Sequence, residues 1–295
     1  MQIRDALRAG LKTLLENHVP SSQLAAELLL MRVLGCDRGY LHAHPEIDLA
    51  PDVTDTFFRL VDERLTGKPT QYITGHQEFW GLDFEVSPDV LIPRPETEHV
   101  VEEVIELAAR YGLAKDARLQ IVDVGTGSGC IALALASEFP GAIIFGADIS
   151  RPALVVASRN AVRLGMPQRV KFLESDLLAR LLDTDSFSSF DFVVSNPPYV
   201  GHHELDKLQR EVRDFEPSLA WGGDLECGDE IYKRLFPQAL RALKPGGYVV
   251  VEIGYNMQDA VLALLGDGWT DVEVGPDLAG IPRVVSARKV VGAKA

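Results

Sequence analysis

The sequence is short of several things, and each shortage removes a class of function. It has three cysteines, Cys36, Cys130 and Cys227, an odd number set far apart. Without paired spacing they make no zinc site, and reduced thiols in the cytoplasm are expected. No window approaches the ~18 apolar residues of a membrane span, and Met1-Gln2-Ile3-Arg4-Asp5-Ala6 has no apolar signal core. A soluble, cytoplasmic protein without a membrane partner is expected. Basic residues are scarce: 29 Lys and Arg face 43 Asp and Glu, a formal net charge of -14. Holding a long nucleic acid needs clustered cations to neutralise phosphates, so no direct nucleic-acid binding is expected. Internal repeats and low-complexity segments are missing as well.

What is present suits a folded protein. Hydrophobic residues make up 46% and charged residues 24% of 295 positions, enough for one large domain and one smaller one. Residues 1–68 read as an N-terminal helical bundle of three short helices. Ile3, Leu7, Leu11 and Leu14 share one face. Pro20-Ser21-Ser22 starts a second helix carrying Leu24, Leu28, Met31 and Leu34, and Gly35 stops it. A third carries Phe57, Leu60, Val61 and Leu65 and stops at Gly67. This bundle has no titratable cluster, so packing or partner docking is its expected role. Residues 69–90 alternate, with Glu78-Phe79-Trp80 and Asp83-Phe84-Glu85-Val86 flanking a Gly81 turn, and predict a hairpin linker. Leu91-Ile92-Pro93-Arg94-Pro95-Glu96-Thr97-Glu98 then leads into a helix with acids in its first turn.

From Gln120 onward strands and helices alternate. Strands are expected near 120–124, 143–148, 170–174, 190–195, 247–252, 270–274 and 283–288, with helices at about 97–111, 130–138, 152–164, 229–243 and 257–265. That order predicts an α/β fold, a mostly parallel, doubly wound sheet over residues 91–295 whose last two strands are antiparallel.

The strand Phe190-Asp191-Phe192-Val193-Val194-Ser195 runs into Asn196-Pro197-Pro198-Tyr199. Prolines restrict the backbone and donate no hydrogen bond, which leaves the Asn196 side-chain oxygen and the Pro197 carbonyl free to accept. A flat NH2 group can give one proton to each, with the Tyr199 ring over its π face. An isolated Asn-Pro-Pro is more often a plain strand-ending turn. Here a second motif accompanies it.

Val122-Asp123-Val124-Gly125-Thr126-Gly127-Ser128-Gly129-Cys130 is a strand, a glycine-rich turn and a helix start, the nucleotide crevice of a doubly wound sheet. A dinucleotide fingerprint wants glycine where Cys130 stands. Asp123 places a carboxylate beside the loop, which disfavours pyrophosphate and favours a sulfonium or ammonium. S-adenosyl-L-methionine fits better than NAD. Asp148 ends the next strand, where a carboxylate takes both ribose hydroxyls. Asp176 ends the third and can accept from an adenine amino group, with Leu177 and Ile149 covering the base. Each acid alone has the plain reading of a solvated strand end; three on one sheet edge do not.

Together the 123–129 loop, Asp148, Asp176, the Asn196-Pro197-Pro198-Tyr199 tetrad and the 91–98 segment resemble the HemK/PrmC family, the protein-glutamine methyltransferases that modify peptide chain release factors. The resemblance extends over nearly the whole chain. It implies the seven-stranded class I adenosylmethionine-dependent fold and, as protein partner, class I release factors methylated on the glutamine of a Gly-Gly-Gln loop. Cofactor-binding residues are then Gly125, Thr126, Gly127, Ser128, Gly129, Asp148, Asp176, Leu177 and Asn196. Substrate-binding residues are Asn196, Pro197, Pro198 and Tyr199, with Asn196, Pro197 and Tyr199 carrying catalysis. No metal is expected, nor a general base next to the tetrad. The segment Glu211–Pro217 resembles the family's loop after the tetrad and is expected to border the substrate entrance.

The alternative is an adenine amino-group methyltransferase acting on DNA or RNA, since the same clamp fits an exocyclic amine. It would need a flipped base and a basic groove. A non-catalytic adenosylmethionine-binding scaffold is disfavoured by the intact tetrad, and a nicotinamide oxidoreductase by Cys130. His202 and His203 follow the tetrad, yet adjacent loop histidines more often sit in solvent. A monomer is expected.

Overall fold

The computed structural model describes residues 1–183 and 190–292. The stretches 184–189 and 293–295, inside the expected 91–295 domain, lie outside the described residues. The chain forms two units. One comprises Met1–His76 together with Gln209–Phe215, and the other takes the remainder.

The first unit contains α1 (Ile3–Glu16), α2 (Ser22–Leu34), α3 (Arg38–Ala43), α4 (Pro51–Leu65) and α5 (Thr70–Thr74). Helices α1, α2 and α4 are the three expected from periodicity. Two short ones were hidden. Asp37 caps α3, its carboxylate accepting from the Tyr40 N–H at 2.7 Å. Pro69 and Gly75, the latter at φ 82°, frame α5 where alternation predicted extended chain. Leu14, Leu29, Leu30 and Phe57 are fully buried at the centre. Gly10 lets α1 approach α4 closely, since a Cβ there would overlap the Phe57 ring. The Gln209–Phe215 stretch joins this unit through Glu211, which pairs with Arg64, a side chain only 3% exposed. Of the Glu211–Pro217 segment, residues 211–215 thus belong to the first unit, and Glu216 and Pro217 to the second.

In the second unit β1 (His76–Phe79) and β2 (Leu82–Glu85) form the hairpin. Its two-residue turn, Trp80 at φ 54° and Gly81 at φ 69°, is the left-handed pair that matches strand twist. The 69–90 stretch expected as one linker is thus divided, with 69–76 in the helical unit and the rest in the second. There follow α6 (Glu98–Arg110), β3 (Gln120–Val124), α7 (Cys130–Glu138), β4 (Ile143–Asp148), α8 (Arg151–Arg163), β5 (Val170–Glu174), α9 (Ala179–Leu182) and β6 (Phe190–Ser195). After these come α10 (Arg210–Phe215, in the first unit), α11 (Ser218–Trp221), α12 (Glu230–Ala242), β7 (Leu243–Glu252), α13 (Gln258–Leu262), β8 (Trp269–Pro276) and β9 (Pro282–Lys289).

The seven-stranded sheet has the order β5-β4-β3-β6-β7-β9-β8. Strands β3 to β7 pair in parallel, and β9 runs antiparallel to both β7 and β8. Parallel strands need both faces covered, and two apolar clusters do this, one around Val104, Ile121 and Leu133, the other around Val122, Tyr232 and Val249. The direction of winding reverses between β3 and β6. At that point the carboxyl ends of adjacent strands part and open a crevice.

Candidate active site

The pairing of β3 with β6 decides what the crevice contains. Val124 is opposite Ser195, so the next residues, Gly125 and Asn196, emerge side by side. Ser195 Oγ donates to the Val124 carbonyl at 2.6 Å and fixes that register. A cavity of about 230 Å³ opens there. Gly125, Thr126, Gly127 and Ser128 line it with Asp148, Asp176, Leu177, Asn196 and Pro198. The glycine loop and the tetrad, separate in sequence, therefore share one wall. Gly129 does not line the cavity. At φ 83° it caps α7 and packs closely against Ala157 and Leu133.

The loop is pinned from behind. Asn160, fully buried, donates to the Ser128 carbonyl at 2.9 Å and to the Glu85 carbonyl at 3.0 Å, and accepts from the Glu85 N–H at 2.7 Å. Asp123, expected to offer its charge beside the loop, instead builds the loop. It is fully buried and absent from the cavity lining. Its Oδ2 accepts from Thr126 Oγ1 at 2.6 Å and from the Ala132 N–H at 3.2 Å, while Oδ1 has no partner among the described residues. Burial pushes its carboxyl up to about 7 against those two hydrogen bonds. Burial also pushes the Cys130 thiol up to about 12, which favours the neutral thiol over the thiolate.

Asp148 stands at the cavity wall with both oxygens oriented by backbone, Oδ2 accepting from Gly127 and Oδ1 from Ser150, each at 2.8 Å. Burial raises its carboxyl, and these bonds to the charged form offset part of the rise. Asp176 lines the cavity in an ion pair with Arg234 at 2.6 Å. Leu177 adopts a left-handed φ of 51° beside it. Ile149 and Leu219, both more than half exposed, present apolar surface to the same cavity. Among the described residues four acids line the space, Asp89, Asp148, Asp176 and Asp224, against Arg94 and Arg234. Hydroxyl acceptors, apolar walls and net negative charge suit a nucleoside bearing a cation and do not suit a polyphosphate. The residues present fit S-adenosyl-L-methionine.

At the tetrad, Asn196 Nδ2 donates to Thr97 Oγ1 at 3.0 Å. Thr97 Oγ1 donates to Glu252 Oε2 at 2.6 Å, and Tyr199 Oη donates to Glu252 Oε1 at 3.2 Å. Asn196 Oδ1 accepts nothing from the described residues and is not enclosed. Pro197 is buried, and neither it nor Tyr199 lines the cavity. The Tyr199 ring, expected as a wall, packs beside Gly254. Burial raises the Tyr199 phenol, and neighbouring Glu252 raises it further. His202 and His203 are exposed on a short 3-10 turn, His202–Lys207.

Two parts of the site were missed from sequence. Glu252, 1% exposed, follows the apolar run Tyr248–Val251, and that lone acid was the available signal. The segment after Pro217, up to Leu225, also lines the cavity. Backbone bonds clasp it to the tetrad, from Val200 N–H to the Trp221 carbonyl and from His202 N–H to the Leu225 carbonyl, both 2.9 Å. Nothing in its composition marks it as a wall. The 91–98 segment contributes Leu91, Pro93, Arg94 and Thr97 to the lining. Arg94 is held by buried Glu216 at 2.6 Å.

Known proteins resemble this chain over both units. The family described as PrmC N-terminal domain matches residues 5–75, and the family described as methyltransferase small domain matches residues 109–227. The release factor glutamine methyltransferase of Koribacter versatilis (strain Ellin345) is 51% identical over 290 residues, 98% of this chain and 99% of that protein. The protein of the same name from Chlorobaculum tepidum is 40% identical, covering 96% of this chain and 95% of that one. Among solved structures, the N-terminal domain of human METTL16 in complex with SAH shares the fold, with a TM-score of 0.51 at 17% identity over 70% of this chain and 76% of that one.

Proposed function

Because the chain belongs to the release factor glutamine methyltransferase family, we propose that it transfers a methyl group from S-adenosyl-L-methionine to the side-chain nitrogen of the glutamine in the Gly-Gly-Gln motif of class I peptide chain release factors. When bound, the cofactor supplies a methyl already activated by a positively charged sulfur. The chain must hold and align. The 125–129 loop allows close backbone approach, Asp148 accepts from ribose hydroxyls, and Asp176 with Leu177 takes the adenine.

The observation that carries this reading is the orientation of Asn196 beside Gly125, nitrogen toward Thr97 and oxygen open. An amide nitrogen is a poor nucleophile because its lone pair is shared with the carbonyl. Asn196 Oδ1 and the Pro197 carbonyl accept hydrogen bonds from its two N–H groups, hold the NH2 in line, and bind more strongly as positive charge develops on nitrogen; the methyl would pass from sulfur to nitrogen, with S-adenosyl-L-homocysteine leaving and one N–H proton released to water. Pro198 stiffens the corner, and Tyr199 anchors its far end. The helical unit docks the protein partner. A net charge of -14 supports a protein partner over a nucleic acid, and the protein acts as a cytoplasmic monomer.

Labelled S-adenosyl-L-methionine incubated with a purified class I release factor, followed by peptide mass mapping, is expected to place the label on the Gly-Gly-Gln glutamine. An unmodified glutamine beside labelled adenine in added nucleic acid would identify the adenine amino-group enzyme instead.

A further inference from the structure

Behind the tetrad lies a carboxylate that the methyl-transfer reading does not use. Glu252 ends β7 at 1% exposure, and no Lys or Arg among the described residues lies within ion-pair distance of it, Arg283 acting on it only from farther off. A buried charge without a directly paired cation is costly unless hydrogen bonds replace the lost water. The bonds here come from two hydroxyls, Thr97 at 2.6 Å and Tyr199 at 3.2 Å. Three chain segments meet at this one side chain: the 3-10 turn Pro95–Thr97, the tetrad after β6 and the end of β7.

The two ends of an asparagine amide have nearly the same shape and opposite hydrogen-bonding character. Which end faces a substrate NH2 decides whether the site attracts or repels it. A hydroxyl has one hydrogen. An ionised carboxylate can only accept, so it claims the hydrogen of Thr97 and leaves Thr97 with lone pairs toward Asn196. Those lone pairs select Nδ2, found 3.0 Å away. Oδ1 is thereby turned outward.

We infer that Glu252 and Thr97 are positioning residues for methyl transfer: the Glu252 carboxylate, through the Thr97 hydroxyl, fixes the Asn196 amide with its oxygen toward the substrate, while its second oxygen holds Tyr199. This rests on the reading that the substrate is a carboxamide NH2. Without the relay the Asn196 amide is free to turn, and its NH2 then meets the substrate NH2 as donor against donor.

The test takes the full chain with a release factor as substrate. Thr97→Val keeps the shape and removes the hydroxyl; kcat is expected to fall about 100-fold, with KM and cofactor affinity within a few-fold of the parent. Thr97→Ser, which restores the hydroxyl, is expected to recover most of the loss. In an Asn196→Ala background Thr97→Val is expected to cost nothing further, because the two act as one unit. Independent costs that multiply would overturn the relay, as would near-normal kcat in Thr97→Val. Should Thr97→Val fail to fold, the parent protein decides: its Asn196 side-chain NH2 resonances, identified by their loss in Asn196→Ala, are expected to exchange slowly with water. Fast exchange overturns the relay. A parent that leaves release factor unmodified but shows slow exchange overturns the substrate reading alone.

Discussion

A side chain on Gly228 would run into the carbonyl oxygen of Tyr199, and the residue sits at φ +89°, where side chains are strained in any case. The outer end of the tetrad is thus clasped by backbone. Glu230 stiffens the clasp, its carboxylate accepting from the N–H groups of Glu226, Cys227 and Gly228 at 2.8–2.9 Å. Gly228→Ala is expected to cost about 1–3 kcal/mol of stability by overpacking. It should also lower kcat at least 10-fold by moving Tyr199, with a smaller change in cofactor affinity. Thermal melts and steady-state rates check both, and unchanged kcat in a folded variant would mean that the clasp does not position the tetrad.

Asn196→Ala removes the oriented acceptor. Turnover is expected to fall about 100- to 1,000-fold, the usual loss on deleting one preorganised polar group. Cofactor affinity by calorimetry is expected to stay within a few-fold, because the 125–129 loop and Asp148 remain. Near-normal turnover would remove the clamp from the mechanism.

Asp148→Ala tests the other wall. Its two oxygens are held by Gly127 and Ser150 N–H groups, and the residue lines the cavity. Losing a charged hydrogen-bond acceptor is expected to weaken cofactor binding roughly 10- to 100-fold. Calorimetry showing the parent affinity would take the ribose assignment from Asp148.

The elements around this site were legible because local patterns wrote them: apolar strands with short periods, Gly125 to Gly129, and prolines after Ser195. Strands β3 to β6 fall where periodicity placed them. What escaped depends on side chains meeting across long sequence distances. Glu252 meets Thr97 across 155 positions, and no window shows that. Asp123 was legible as a loop acid but not as a buried one, since its exposure depends on α7 and Thr126 closing over it. Arg234, 58 positions beyond Asp176, took its carboxylate without any sequence sign.

Asp123 makes stability depend on pH in a direction opposite to most acids. Its carboxyl is raised from 3.8 to about 7, so the folded state holds the proton more tightly than the unfolded chain. The contribution is full below about 4 and is lost as pH rises toward 7, on the order of a few kcal/mol in total. Asp123→Asn cannot titrate. The stability difference between parent and variant, from denaturant melts, is expected to shift against the parent from pH 4 to 7 and then level off. A difference constant across that range would show that the buried carboxyl does not titrate there.

Glu252 carries the same sign for stability and the reverse for activity. Burial raises its carboxyl above the ordinary 4.5, and the bonds from Thr97 and Tyr199 and the charge of Arg283 offset only part. Its own proton is thus bound more tightly in the folded state, so its stability contribution is present at low pH and lost as pH rises from 4.5 through the folded value. The relay, however, needs the ionised form, because a protonated Glu252 can donate to Thr97 and let the Asn196 amide turn. Acidification is therefore expected to lower kcat through a limb lying above pH 4.5. The charges of Glu96 and Arg283 and the phenols of Tyr199 and Tyr232 also act on Glu252, and Asp123 titrates elsewhere in the same unit, so the limb alone does not identify its source. Thr97→Val cuts Glu252 from Asn196 while leaving the other groups in place. Its residual kcat is expected to be flat where the parent and Thr97→Ser both decline. An identical limb in all three would assign the titration to Asp123 or to the substrate complex and would leave Glu252 outside the reaction.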